Sequence, residues 1–413
     1  MSYTHANRPM QLTTSLGEDV LLLTGFQGQE SISAPFHFWL QVVSSDPRVS
    51  PGDLLRRPAA VSLALADGTL RYFHGLISRF IRGGQDRSGL VTYRVELVPW
   101  FWFLELTADC RIFQNMSVQR IVQTIFDENG YSDYEFRWLT AGQATRVYCV
   151  QYRESAFNFV SRLLEEEGIF YFFEHERGRH LMVMADTSLQ HPPCPGPSTI
   201  AVSHTEQAML DDDTILELSI CDQVQTGKIA LTDFNFEVPS TNLGVEVGER
   251  EEIYDYPGLY DNRSRGDGLS SVRLEEHLVA IQRFQGSSGC RAFMSGHYFQ
   301  LKDFHRKDAE TKQVLHAVSH QARQPMDLST ENSGDVFRYQ NTFSSFPYAT
   351  PFRPPRTARR PLVTGTQTAI VVGKAGEEIW CDSYGRVKVQ LSLIHISEPT
   401  RLRRISYAVF CLK

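Results

Sequence analysis

Two stretches, SVQRIVQTIFDENG (117–130) and SAFNFVSRLLEEEG (155–168), place apolar residues at helical spacing inside a chain that otherwise alternates. In the first, Val118, Ile121, Val122, Ile125 and Phe126 recur every three to four residues, with Ser117 placed to cap the start and Gly130 the end. In the second, Phe159, Val160, Leu163 and Leu164 share a face between Ser155 and Gly168. Whatever surrounds these helices must supply strands.

It does. VSLALADGTLRYFHGLISRF sets Val61, Leu63 and Leu65 on one face, turns tightly at Asp67-Gly68, and returns through Leu70, Tyr72 and His74. VTYRVELV is a further strand ending at Pro99. After Gly168, IFYFFEH, the loop ERGR and HLMVMAD predict a hairpin. Further on, TILELSI, KIALTDFNFEV, CRAFMSGHYFQLKDF and QVLHAVSHQAR predict strands. GDGLSSVRLEEHLVAIQRF predicts one helix with Leu274, Leu278 and Ile281 on a face. Abundant Phe and Tyr, 26 and 16 copies, suit strands.

At 413 residues the chain exceeds one core and predicts two to four domains. Residues 1–107 read as a small antiparallel barrel, 108–200 as an α+β unit, and 201–346 as a second barrel with one helix. Residues 347–361 form an extended Pro/Arg linker whose Arg353, Arg356, Arg359 and Arg360 read as solvated. Residues 362–390 open another strand-rich domain.

Residues 391–413, LSLIHISEPTRLRRISYAVFCLK, break the pattern. Leu-Ser-Leu-Ile-His-Ile is the in-frame translation of ctg tct ctt ata cac atc, so the tail resembles translated sequencing adapter. It is expected to be an artefact and stands outside the fold reasoning. The tail contributes +3 (Arg401, Arg403, Arg404 and Lys413 against Glu398), so the net charge of −7 leaves −7 − 3 = −10 on the rest. An acidic body argues against nucleic acid as partner. No signal-peptide core opens the chain, and the apolar run LVPWFWFLEL is too short to span a bilayer, which excludes stable membrane insertion. Assembly in the cytoplasm is expected.

Six cysteines precede the tail, scattered and without CxxC, and read as buried free thiols. His175 and His180 flank the ERGR loop beside Glu174 and Glu176, but no third ligand stands near in sequence, so a metal site is not expected. The runs DDD (211–213) and EEE (165–167) read as solvated faces rather than paired catalytic carboxylates. GGQDRSG (83–89) reads as a hairpin loop. There is no GxSxG elbow, Walker loop or dinucleotide fingerprint. No catalytic, cofactor-binding or metal-binding residue, and no cofactor, is expected.

One long segment, YCVQYRESAFNFVSRLLEEEGIFYFFEHERGRHLMVMAD (148–186), resembles the signature region of VgrG proteins, the valine-glycine repeat spikes of the type VI secretion system. CRIFQNMSVQRIVQTIF, EIYDYPGLYDN, GHYFQL, PFRPPR and GEEIWCDSYGRVKVQ resemble the same family in the same order. The resemblance implies a homotrimeric, phage tail-hub-like protein. Two gp27-like barrels per chain make a pseudo-sixfold ring, and the start of an OB-type barrel lies at 362–390. It further implies a non-enzymatic hub that caps an inner tube of Hcp-type protein. The hub carries a PAAR-type tip protein and effectors toward a target envelope, and is secreted by the type VI system without a signal peptide. The alternatives are an effector-bearing spike with an enzymatic C-terminal domain, or the hub of a phage or contractile injection tail. Family members continue past Gln390, so the needle, the tip-binding end and any toxin domain are expected to lie outside this sequence. Without the needle, a weak, concentration-dependent trimer is expected.

Overall fold

The computed structural model describes residues 4–5, 8–85, 89–137, 139–187, 191–203, 213–325, 337–364, 366, 368–373, 381–391 and 408–410. Contacts divide the chain into two compact units. Unit one comprises Met1–Trp102, Asp133–Leu139 and Glu167–Pro355; unit two comprises Phe103–Ser132, Thr140–Glu166 and Arg356–Lys413.

In chain order the strands begin with β1 (Met10–Thr13), β2 (Leu22–Ser31), β3 (His37–Ser44), β4 (Pro58–Ala64), β5 (Leu70–Gln85) and β6 (Val91–Val98). Next come β7 (Ala108–Ser117), helix α1 (Val118–Glu128), β8 (Tyr134–Phe136), β9 (Thr145–Ser155) and helix α2 (Ala156–Glu167). The hairpin β10 (Phe170–His175) and β11 (His180–Ala185) leads to β12 (Thr199–Ala201), β13 (Ile215–Asp222), β14 (Lys228–Leu231), β15 (Val245–Gly248) and β16 (Glu252–Asp255). Helix α3 (Arg263–Ile281) precedes β17 (Gln282–Ser288), β18 (Tyr298–Lys302), β19 (Lys312–Arg323) and β20 (Arg338–Pro347).

Unit one is built on one twelve-stranded sheet, in the order β1-β4-β5-β6-β3-β2-β19-β20-β17-β13, with β18 against β19 and β12 against β18. Strands from the start and the end of the chain meet at β2 and β19, where Gly25–Ser31 pair antiparallel with Ala317–Arg323. The seam between the two regions read as barrels is therefore itself a strand pair.

The β4–β5 hairpin turns differently from its sequence reading. The connection is three residues long: Leu65 N donates to Thr69 O (2.9 Å), and Gly68 N to Leu65 O (3.1 Å) with φ +81°. A glycine in the left-handed region after a tight turn is the usual three-residue hairpin. The extra residue moves the return strand by one, so Arg71 and Phe73, not Tyr72 and His74, stand opposite Leu63 and Val61. Leu70 is exposed, and a charged side chain enters the core.

Two further expectations are corrected. Cys290–His297 is a buried loop rather than the start of a long strand, and only Tyr298–Lys302 pairs. Its Gly296 has φ +76°, and a Cβ there would lie 2.4 Å from Phe172 Cγ. Gly296→Ala is therefore expected to cost about 2–4 kcal/mol, through backbone strain and overpacking together; an unchanged urea midpoint would refute the close packing. The helix predicted within 266–284 starts earlier, at Arg263, with Asn262 Oδ1 accepting from Arg265 N (3.0 Å). Its buried positions are Gly266, Leu269, Ser270, Arg273 and Val279, while Ile281 is exposed. The reason is divided packing: Leu269 and Leu274 cover β14 and β15, whereas Val279 joins Phe170, Phe172 and Phe346 in a different cluster. A helix serving two cores carries no single stripe.

In unit two the helices form as read. Ser117 Oγ accepts from Arg120 N (3.3 Å) at the start of α1, and Gly130 closes it with φ +78°. Ser155 Oγ accepts from Asn158 N (3.1 Å), and Gly168 follows α2 with φ +71°. The apolar faces are buried with Phe113 of β7, which stacks on Phe159. Arg162 makes a buried bidentate pair with Glu154 (Nη2–Oε1 2.7 Å) and donates to Val150 O (2.6 Å).

Candidate functional site

The polar chemistry of unit one lies in its interior. Arg71 and Glu30 are fully buried and joined, Nη2 to Oε1, at 2.8 Å. His320 Nε2 donates to the same oxygen (2.9 Å), and its Nδ1 accepts from Tyr339 Oη (2.7 Å). Asn341 Nδ2 donates to Tyr339 Oη (3.3 Å) and to Cys290 O (2.7 Å), while Ser288 Oγ donates to Asn341 Oδ1 (2.8 Å). Arg71 Nη1 donates to Arg291 O (2.8 Å) and to Phe293 O, and its guanidinium lies over the Phe73 ring at 4.2 Å.

This chain of bonds draws on β2, β5, β17, β19 and β20, so it spans the β2–β19 seam. It also explains how a loop can be buried. Buried carbonyls need donors, and those of Cys290, Arg291 and Phe293 receive them from Asn341 and Arg71, while Gly296 O takes His191 Nδ1 (2.8 Å). Burial alone would raise the Glu30 pKa, but the His320 hydrogen bond and the Arg71 charge outweigh it and hold the carboxyl at about 2.

A second buried polar group consists of histidines. His175 and His180 do face each other, as a register pair of the β10–β11 hairpin. The partner that sequence spacing could not supply is His74 of β5. Trp100 N donates to His180 Nε2 (2.9 Å), so His180 carries its proton on Nδ1 and donates to His74 Nδ1 (2.9 Å). His175 Nδ1 lies 3.0 Å from His74 O, and its Nε2 is buried without a hydrogen-bond partner. Burial lowers His74 to about 4 and His175 to about 3; it also carries His180 well down, with the His175 and His74 charges adding to it. Among the described residues no group of three or more His, Cys, Asp or Glu could hold a metal ion.

The other sequence candidates separate. Glu165 accepts from Thr357 Oγ1 and Ala358 N, and Glu166 pairs with Arg146 (2.7 Å). Glu167 is buried against Arg265. The EEE run is thus a set of structural anchors rather than a solvated face. Of DDD, 211–212 lie outside the described residues, as do 86–88 of GGQDRSG, 376–380 of GEEIWCDSYGRVKVQ and most of the tail. Cys149, Cys194 and Cys290 are buried free thiols, but Cys110 is half-buried and Cys221 and Cys381 are exposed, against the reading of all six as buried. No helix among the described residues is long and apolar enough to cross a membrane.

Sequence and fold comparisons agree on what such a molecule is. Residues 29–326 match the phage tail baseplate hub (GPD) family. The chain is 33% identical over 396 residues to the type VI secretion system spike protein VgrG1b of Pseudomonas aeruginosa, covering 94% of this chain and 53% of that protein. It is 30% identical over 393 residues to the actin cross-linking toxin VgrG1 of Vibrio cholerae, covering 91% of this chain and 35% of that one. The chain thus spans about half, or less, of the length of these curated relatives. Among solved structures, the E. coli c3393 protein shares the fold with a TM-score of 0.71 at 22% identity, over 92% of this chain and 88% of that chain. That protein is described as a type VI secretion component similar to the phage T4 tail proteins gp27 and gp5. The chain therefore belongs to the phage tail baseplate hub family, as the VgrG resemblance of its sequence implied.

Proposed function

We propose that this chain is the hub portion of a type VI secretion puncturing spike. In this reading 1–107 and 201–346 are the two hub barrels, 108–200 is the α+β unit that decorates them, and 362–390 opens an OB-type barrel. Three copies form a ring that caps an inner tube of Hcp-type protein, and parts of the spike beyond this chain carry a PAAR-type tip and effectors. Assembly is cytoplasmic and release follows through the type VI machinery. The hub works by subunit packing, without catalytic, metal or cofactor residues.

One observation carries the reading: likeness to a VgrG spike protein runs through 94% of the chain. The test has two parts. Sedimentation of the purified chain is expected to show a monomer–trimer equilibrium. A full-length spike gene lacking residues 29–326 is expected to stop release of the inner-tube protein into the medium. A strict monomer at high concentration, or undiminished release, would overturn the proposal.

The second reading, an effector-bearing spike, is favoured by the match to a protein named as an actin cross-linking toxin, most of whose length lies outside the matched region. Extending the reading frame of the source locus discriminates the two, because an added domain with catalytic residues would follow the needle.

A further inference from the structure

Exposed apolar side chains of unit one concentrate around β14–β16. Phe234, Val238, Ile253, Tyr254, Tyr256 and Leu259 are each more than 40% exposed. The loops that carry Phe234 and Leu259 are tied together. Asp233 Oδ2 accepts from Leu259 N (2.6 Å) and Tyr260 N (3.2 Å), and Asn235 Nδ2 donates to Asp261 O (3.0 Å). Leu259 is held at φ +65°, as are the neighbouring Arg250 and Glu251 at +67° and +37°. A rigid apolar cluster at the surface marks an interaction site.

The same place offers an open strand edge. The small sheet runs β15-β14-β16, and among the described residues no strand lies on the outer side of β16. Native edges are blunted by short length, charge, Pro or bulges; this four-residue edge has Glu252 and Asp255 at its ends but presents Ile253 and Tyr254 between them. The patch is also acidic: residues 222–262 hold nine Asp and Glu against Lys228 and Arg250, or −9 + 2 = −7. That number equals the formal charge of the whole chain. An occupant should therefore be extended, basic and aliphatic.

The chain carries such a segment. In unit two, Thr357 Oγ1 and Ala358 N donate to Glu165, and Arg359 N donates to Asn158 Oδ1 (3.2 Å), which anchors the arm by its backbone. Arg359 and Arg360 are exposed and make no ion pair among the described residues, and Leu362 and Val363 are 80% and 56% exposed. From Arg356 to Val363 there are three arginines and no acid. We infer that the β16 edge with its aromatic loops takes up the arm Arg360–Thr364 of a second copy of this chain by strand addition, with Arg359 held at its own Asn158. Leu362 and Val363 meet the aromatic cluster, and Arg359 and Arg360 meet Glu251 and Glu252. Because the two surfaces differ, the contact is head-to-tail and closes into a ring when the rotation permits. The inference deepens the homotrimer reading and rests on it.

The test mixes two populations, one carrying Tyr254→Cys and one Leu362→Cys, each with Cys221, Cys381 and Cys411 replaced by serine. Mild oxidation of the mixture is expected to give a covalent dimer at least tenfold above either population alone. Arg359→Glu with Arg360→Glu is expected to lower that yield tenfold, and Glu251→Arg with Glu252→Arg on the partner population to restore it. All these positions among the described residues are exposed, and circular dichroism of each variant checks its fold. A trimer by sedimentation with no covalent dimer overturns this contact and leaves the homotrimer standing. A covalent dimer rescued by charge reversal in a protein that never sediments as a trimer overturns the homotrimer and keeps the contact. Neither trimer nor covalent dimer overturns both.

Discussion

Arg71→Met is expected to destabilise unit one by about 3–5 kcal/mol, the cost of stranding one partner of a buried ion pair. Methionine preserves much of the volume, so the loss is polar rather than steric. Glu30 would keep its buried charge with only His320 beside it, and the carbonyls of Arg291 and Phe293 would lose their donors. The cycle with Glu30→Gln separates these terms. If the pair itself carries the cost, the double variant should be less destabilised than the sum of the singles, since removing the charge relieves what Arg71→Met leaves behind. If the loop carbonyls dominate, the two effects should add. Urea unfolding followed by tryptophan fluorescence measures both. A single-variant loss below 1 kcal/mol would mean that water reaches the network, and that the burial of loop 290–297 needs another explanation.

Arg71 also shows where sequence reading stops. Period-2 alternation located β4 and β5, and 3.6-residue spacing with serine and glycine caps located α1 and α2, because those signals are local. Whether Asp67-Gly68 closed a two-residue or a three-residue turn was not local in that sense, and the one-residue difference decided that Arg71, rather than Tyr72, faced the core. Its partner Glu30 lies 41 residues away along the chain, and His320, which bonds the same Glu30 oxygen, lies 320 − 71 = 249 residues away, on strands that become neighbours only in the finished sheet. The histidine group behaves alike. The register of IFYFFEH against HLMVMAD placed His175 opposite His180, but His74 comes from a strand about 100 residues earlier. Buried polar networks assembled from distant strands leave no spacing to read. The family resemblance covered the fold that spacing could not reach.

Acidification is expected to unfold unit one while leaving the helices of unit two protected. Five buried histidines, 74, 180, 191, 297 and 320, and the half-buried His175 and His316 are all held below the ordinary imidazole value, with desolvation as the leading cause in each. His74, His191 and His316 stand at about 4 and His175 at about 3. A folded-state value below the unfolded one means that the unfolded chain binds protons the native state refuses. Stability is therefore flat above about pH 6.5 and falls as pH drops toward 4. Each such histidine adds about 1.4 kcal/mol per pH unit in that window. Four of them over about 1.5 units sum to about 8 kcal/mol, comparable to the whole stability of a domain. Glu30, held at about 2, adds its own loss only at lower pH, as its carboxylate becomes protonated. Unit two has no histidine among its described residues, so it lacks this liability. Hydrogen exchange at pH 4.5 is expected to show β2, β5, β19 and β20 deprotected while α1 and α2 keep their protection. His316→Gln should flatten the slope by one proton's worth, and His191→Phe should do the same if the apolar ring fits. Equal loss of protection in both units would show that the fall in stability is not set by these imidazoles. Full protection of β19 at pH 4.5 would show that their burial costs the native state far less than their desolvation implies.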